Sequence, residues 1–84
     1  MPIITDQWNS IYLGGSKGRK FEVRFCPRNV KAPWGIHTKR DNGRYFCTLR
    51  ETLSFAAGRG FIEYHLIDKY QDEIAAALDR KWGE

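Results

Sequence analysis

The chain has 84 residues, of which 42% are hydrophobic, and a net charge of +4 from 14 Lys and Arg against 10 Asp and Glu. This length allows one domain, residues 1–84, with one small core, and the composition is that of a globular chain rather than a disordered one. No run approaches the roughly 20 apolar residues of a membrane span, so we expect no membrane partner. Residues 1–13 lack the features of a signal peptide, so we expect a cytoplasmic protein with reduced cysteines.

The charge is divided unevenly along the chain. From Lys17 to Arg50 there are ten Lys and Arg against two acids, a local net charge of +8. From Glu51 onward there are four basic residues against seven acids, a net charge of −3. This asymmetry indicates a basic, partner-facing surface in the first half, of the kind that meets a phosphate backbone or an acidic patch on a protein.

The first predicted elements are two short strands joined by a glycine-rich turn. Residues 11–13 are predicted to form one strand, and residues 21–25 alternate apolar and charged side chains as a half-buried strand does. The turn lacks the Gly spacing of a phosphate loop, so a plain hairpin connection is the simpler interpretation. The alternative is a loop that contacts phosphate non-specifically through Lys17, Arg19 and Lys20.

The stretch from Trp34 to Glu51 predicts a second hairpin with Asn42-Gly43 as its loop, because Asn and Gly adopt the positive φ that a two-residue type I′ turn requires. This register places Ile36 opposite Leu49. Because side chains alternate across a strand, one face is apolar and predicted to join the core, and the other is basic with one aromatic ring. The apolar face comprises Trp34, Ile36, Thr38, Cys47 and Leu49, with Arg40 and Tyr45 near the tip. The basic face comprises His37, Lys39, Arg44, Phe46, Thr48 and Arg50.

Helical patterns follow the second hairpin. Thr52 is predicted to cap a short helical turn that the glycines at 58 and 60 stop. Apolar residues then recur every four positions from Phe61 to Trp82, which predicts a C-terminal helix. An alternative is a strand over residues 62–66 followed by a shorter helix capped by Asp68, although the long helix fits the spacing better. The apolar stripe comprises Ile62, Leu66, Tyr70, Ile74, Leu78 and Trp82, widened by Ile67 and Ala75.

These elements predict an α+β fold, in which a small antiparallel sheet of three to four strands is packed on a C-terminal α-helix. The apolar stripe of the helix covers one face of the sheet. The other face is left open and basic, and Arg24 joins it from the first hairpin, because Phe21, Val23 and Phe25 take the core side. Strand order remains open at this level, because nothing in the sequence pairs the first hairpin with the second.

The residues that carry chemistry do not form a recognisable site. Cys26, His37, Cys47 and His65 lack the close pair spacing of structural zinc sites, and the predicted register separates His37 from Cys47. No histidine is placed beside Cys26 to make a nucleophile pair, and the carboxylates of the C-terminal helix have the pattern of a solvated face. We therefore expect no enzymatic activity, no metal and no cofactor.

The basic face of the sheet favours a small binding module that contacts nucleic acid, most simply DNA. Guanidinium groups bind phosphate oxygens or guanine edges, and an exposed Phe46 would stack on a base. The opposing interpretation is that the cations only protect exposed strands from aggregation and that residues 1–8 cover Phe46. The candidate binding residues are Arg24, His37, Lys39, Arg44, Phe46 and Arg50, with Lys17, Arg19 and Lys20 in the first turn.

Two alternatives involve protein partners. The chain has the size of a small inhibitor or adaptor, such as mobile genetic elements encode, that docks onto a larger protein, including one that handles nucleic acid. Self-association is the other possibility, because the alanines at 75–77 give the C-terminal helix a low profile that a second copy could approach. The sequence therefore predicts either a monomer or a homodimer formed through this helix.

Overall fold

A computed structural model describes residues 9–14, 16–38 and 43–82. It shows an α+β fold, as predicted, with a four-stranded antiparallel sheet and two α-helices packed on one of its faces. The first turn and the connection between the helices each contain one turn of 3-10 helix, Ser16–Gly18 and Tyr64–Leu66. The elements are β1 (Asn9–Gly14), β2 (Lys20–Phe25), β3 (Trp34–His37), β4 (Arg44–Phe46), α1 (Leu49–Gly58) and α2 (Ile67–Trp82).

The strands follow one another across the sheet in the order β1-β2-β3-β4. The predicted first hairpin is confirmed, and β2 also pairs with β3, which joins the two hairpins into one sheet. Alternation along the strands turns Phe21, Val23 and Ile36 toward the helices, where they are buried. We call the opposite side the outer face; its described side chains are Ser10, Tyr12, Lys20, Glu22, Arg24, His37 and Tyr45.

The register predicted for the second hairpin is wrong. Ile36 pairs with Arg44 instead of Leu49, so the two strands are offset by five positions from the prediction. β3 ends at His37 and β4 begins at Arg44, so the two strands are separated by more than a two-residue turn. Asn42 lies outside the described residues, and Gly43 has a positive φ of 85°. Because an odd shift exchanges the faces of a strand, Arg44 and Phe46 point to the helix side.

The second strand of this hairpin, β4, is short because α1 begins at Leu49. Thr48 is the N-cap of α1: its Oγ1 accepts from the backbone N–H of Glu51 at 3.0 Å, and its own N–H donates to Glu51 Oε1 at 3.1 Å. This reciprocal capping box satisfies N–H groups at the helix start that would otherwise lack partners. The predicted cap at Thr52 is therefore wrong: Thr52 is fully buried inside α1, and its hydroxyl donates to the carbonyl of Thr48.

The end of α1 explains why α2 starts later than predicted. Gly60 has a φ of 81°, its N–H donates to the carbonyl of Ala57, and the N–H of Phe61 donates to the carbonyl of Ala56. These two hydrogen bonds form a Schellman motif, which turns the chain away from the helix axis. Neither the long helix from Phe61 nor a strand over residues 62–66 is present, since Ile62 is buried in the connection and α2 begins at Ile67.

The core lies between the sheet and both helices. Leu53 and Ile74 are fully buried at its centre, and Phe21 contacts Phe61 and Tyr70, with ring centroids 5.7 and 6.4 Å apart. Ala75 was predicted to widen the apolar stripe of the C-terminal helix, but it is exposed. The buried apolar residues are Phe21, Val23, Ile36, Leu49, Leu53, Ala56, Ala57, Ile62, Ile67, Ile74 and Leu78.

The capping box yields a stability prediction. Thr48→Ala removes the side chain that accepts from Glu51 N–H, and we expect it to lower the free energy of unfolding by about 1 kcal/mol, within a range of roughly 0.5–2 kcal/mol. Urea unfolding followed by far-UV circular dichroism measures this change. The matched control is Ser54→Ala, an exposed position inside α1, which should not destabilise the protein. Equal stability of the Thr48 variant and the native protein would contradict the helix start at Leu49.

Candidate nucleic-acid interface

Three of the predicted binding residues lie together on the outer face. Arg24 and Lys20 point outward from β2, and His37 lies on the neighbouring strand, where it pairs with Glu22. Arg24 does not act as an isolated cation, because its Nε forms an ion pair with the Glu22 carboxylate, and the side chains of these two residues are only 27% and 14% exposed. The outer face is therefore less basic than the sequence suggests.

Arg44 and Phe46 lie instead at the edge of the core. Phe46 is half-buried, and its ring centroid is 5.1 Å from that of Phe55 on α1, so it does not present an exposed ring as predicted. The guanidinium carbon of Arg44 is 5.0 Å from the Phe55 centroid, and that of Arg59 is 5.6 Å from the same centroid. Two exposed cations thus share one aromatic ring, each at a distance typical of a cation–π contact.

Arg50 is separated from the sheet. It belongs to the first turn of α1, and its Nη1 donates to Asp68 Oδ1 at 2.5 Å across to α2. Both side chains are more than half exposed, so solvent screens this ion pair. The prediction that Arg50 lies on the basic face of the sheet is wrong, because the capping box ends the strand before this residue.

The remaining candidates belong to the first turn or lie outside the described chain. Lys39 falls outside the described residues, and of Lys17 only the backbone is described, in the 3-10 turn between β1 and β2. Arg19 and Lys20 are exposed where this turn enters β2. Arg19 therefore extends the basic surface from Lys20, at the end of the outer face, into the first turn.

The first turn is attached to the end of α1 by two hydrogen bonds. The N–H of Ser16 donates to the carbonyl of Phe61 at 2.6 Å, and Nη1 of Arg19 donates to the carbonyl of Arg59 at 2.8 Å. A guanidinium is favourable there, because the last carbonyls of a helix lack intrahelical partners and carry the negative end of its dipole. Arg19 uses one of five N–H donors in this bond, so its other donors can serve a ligand.

The sheet register and these hydrogen bonds place basic side chains at one end of the sheet, which we call the basic end. Its members come from the first turn, from β2, β3 and β4, and from the end of α1. Three of them, Arg19, Lys20 and His37, line a cavity of about 650 Å³, whose lining among the described residues contains no acidic side chain. The other two, Arg44 and Arg59, contact Phe55 and do not line it. The basic end comprises Arg19, Lys20, His37, Arg44 and Arg59. The cavity is lined by Tyr12, Gly18, Arg19, Lys20, His37, Thr38 and Phe61.

Two tyrosines of the outer face were not among the predicted site residues. Tyr12 is 72% exposed on β1 and lines the cavity, whereas Tyr45 is 39% exposed and covers Gly35 on the neighbouring strand. A side chain at Gly35 would have no room, since a Cβ atom there would lie 2.5 Å from Cδ1 of Tyr45. Tyr12 stands between Ile11 and Leu13, which pack on the core, and this alternation was the available signal for its exposure.

The described chain offers little else for chemistry. Within it, no group of three or more His, Cys, Asp or Glu side chains is arranged to hold a metal ion. Neither α-helix, over its described length, is long and apolar enough to cross a bilayer. Comparison with protein-family models, with curated proteins and with solved structures finds no match for this chain.

The corrected position of Phe46 yields a second stability prediction. Because its ring packs on Phe55 and the core, Phe46→Ala should lower the free energy of unfolding by about 1–3 kcal/mol, less than a fully buried Phe because the side chain is half-buried. Chemical denaturation of the two proteins measures the difference. The control is Tyr12→Ala on the outer face, whose exposed ring should contribute little to stability. A stable Phe46 variant would instead fit the register with Asn42-Gly43 as the loop.

Proposed function

We propose that the protein is a non-enzymatic module that binds nucleic acid through its basic end. The observation that carries the proposal is that Arg19, Lys20 and His37 line one cavity whose described lining has no acidic side chain. Arg19 also donates to the carbonyl of Arg59, which brings the end of α1 to the same place. A phosphate backbone is the common biological ligand that presents closely spaced negative charges to such a surface.

The division of charge in the folded chain supports the same proposal. Four of the six exposed acids in the described chain, Asp68, Asp72, Glu73 and Asp79, lie on α2, a different element from all members of the basic end. A cleft or end with one sign of charge attracts ligands of the opposite sign over distances near the Debye length. The molecule therefore has a preferred orientation toward an anionic polymer, with the basic end leading.

Binding through the basic end predicts that one charge reversal there reduces affinity and salt dependence. Lys20→Glu should weaken binding of labelled DNA about tenfold, because a tenfold loss corresponds to the free energy of one charge-assisted hydrogen bond. On a duplex it should also lower the slope of log K against log salt by about 0.9, because one phosphate contact is lost. Fluorescence anisotropy titrations at several salt concentrations measure both quantities. The side chain of Lys20 is exposed, so thermal stability should stay near that of the native protein.

The matched control for this experiment is Lys31→Glu. Lys31 is exposed in the connection that follows the last residue of β2, whereas Lys20 is the first residue of that strand. The two variants have the same net charge, but their substituted residues lie near opposite ends of β2. Equal losses in both would mean that only total charge matters, and the proposed site at the basic end would be rejected.

A second candidate is docking onto a larger protein. The observation in its favour is the acidic surface of α2, where, among the described side chains, Asp68, Asp72, Glu73 and Asp79 outnumber the exposed cations Lys69 and Arg80. Such a surface suits a basic site on a partner, including the site of a protein that handles nucleic acid. If no labelled nucleic acid binds at low salt, affinity capture with Asp72→Lys as the control becomes the next experiment.

A further inference from the structure

We propose that the basic end takes an unpaired nucleotide of a single strand, with its base stacked on Tyr12 and its phosphate on Lys20 and Arg19. This inference rests on the proposed function and adds the class of nucleic acid and the residue that distinguishes it. Three observations support it: the exposure of one ring, its position relative to the cations, and the lining of the cavity.

Tyr12 is the first of these observations. Its flanking residues Ile11 and Leu13 turn toward the core, so the outward ring contributes no packing to the core and remains 72% exposed. Tyr45 also lies on the outer face, but its ring packs against Gly35. An exposed ring on a sheet is suited to stack on a base, because every base presents a π-face whatever its sequence.

The sheet register supplies the second observation. Tyr12 pairs with Glu22 and Gly14 pairs with Lys20, so Lys20 is the diagonal neighbour of Tyr12 on the same face. Diagonal neighbours are roughly 7–8 Å apart, within reach of long side chains. Tyr12 and Lys20 also line the same cavity, so one nucleotide can contact both side chains.

The third observation is the cavity beside the ring. Phe61 brings a second aromatic side chain to its lining, Thr38 brings a hydroxyl, and Arg19 and His37 bring nitrogen donors. The Glu22 carboxylate, which shares a row with Tyr12 and His37, is neutralised by its ion pair with Arg24 and does not line the cavity. The site therefore combines aromatic, polar and cationic groups, as single-strand binding requires.

An unpaired base fits this arrangement better than a duplex. In a duplex the faces of the bases are covered by their neighbours in the stack, so a ring on the surface of a sheet meets only phosphates and groove edges. A single strand can splay its bases and place one against the ring. Tyr12 should therefore contribute to binding of single strands only, whereas the cations contribute to both forms.

The test compares a labelled single-stranded oligothymidylate with a duplex of the same length by fluorescence anisotropy. Tyr12→Leu should weaken single-strand binding roughly 5- to 150-fold, the range that loss of one stacked base implies, and leave duplex binding unchanged. Tyr12→Phe should retain single-strand affinity because it keeps the ring. The matched control is Tyr64→Leu, since Tyr64 is 66% exposed but belongs to the connection before α2, away from the cavity lining.

A second measurement locates the contact. Photo-cross-linking with an iodouracil-containing single strand, followed by mass spectrometry, should attach the label to the peptide that contains Tyr12. Thermal unfolding of each variant shows whether its fold is intact, and the cross-link, which uses the native protein, keeps the test decisive if Tyr12→Leu is unstable.

The outcomes separate this inference from the proposed function. Native affinity of Tyr12→Leu for the single strand, while Lys20→Glu weakens both forms, would overturn the stacking role and leave nucleic-acid binding in place. A cross-link confined to another peptide, or equally tight binding of a polyglutamate peptide, would also overturn it. If neither oligonucleotide binds the native protein at low salt, the proposed function and this inference both fail.

Discussion

The capping box between Thr48 and Glu51 determines where the chain leaves the sheet, and much of the remaining structure depends on that position. Because α1 begins at Leu49, β4 is limited to Arg44–Phe46, and this short strand pairs with β3 in a register that turns Phe46 toward the helices. Phe46 then packs on Phe55, and the two arginines that contact Phe55 are held at the edge of the core. A local hydrogen-bond pattern worth about 1 kcal/mol thereby changes which side chains share a face.

The attachment of the first turn to the end of α1 has a comparable effect on charge. Ser16 and Arg19 donate to carbonyls of the segment that follows the helix, and the Schellman motif at Gly60 presents those carbonyls to the turn. Arg19 and Arg59, which are 40 positions apart in sequence, are consequently joined through the Arg59 carbonyl. The same contact stabilises the helix end and supplies a positive surface, so structural and binding roles overlap in Arg19 rather than exclude one another.

The face of the sheet and the end of the sheet differ in chemical character. On the outer face the ion pair between Glu22 and Arg24 cancels most of the charge that alternation along β2 exposes, and what remains beside Lys20 is aromatic and polar. The end of the sheet is cationic and surrounds a cavity. A ligand that carries both negative charge and flat apolar groups matches this junction, and a nucleotide combines the two. The exposed acidic side chains of α2 lie on a different element from this junction, and their charge is complementary to a basic surface.

The sequence by itself determined the class of the fold and the strands whose alternation is regular. The alternation of apolar and charged residues along β2 predicted the first hairpin and its faces correctly, because such alternation is a local property of a strand. The apolar positions are Phe21, Val23 and Phe25, and the charged positions are Glu22 and Arg24. The positions of Arg44, Phe46 and Arg50 were decided by tertiary structure, since the Asn42-Gly43 signal and the Thr48 cap compete for the same segment and the packing of α1 on the sheet favours the cap. Tertiary structure likewise brought Tyr12 and Arg59 to the candidate site. Strand pairing places Tyr12 near Lys20, and the contact between the first turn and α1 places Arg59 near Arg19. Neither proximity has a sequence signature, because the partners are not close along the chain.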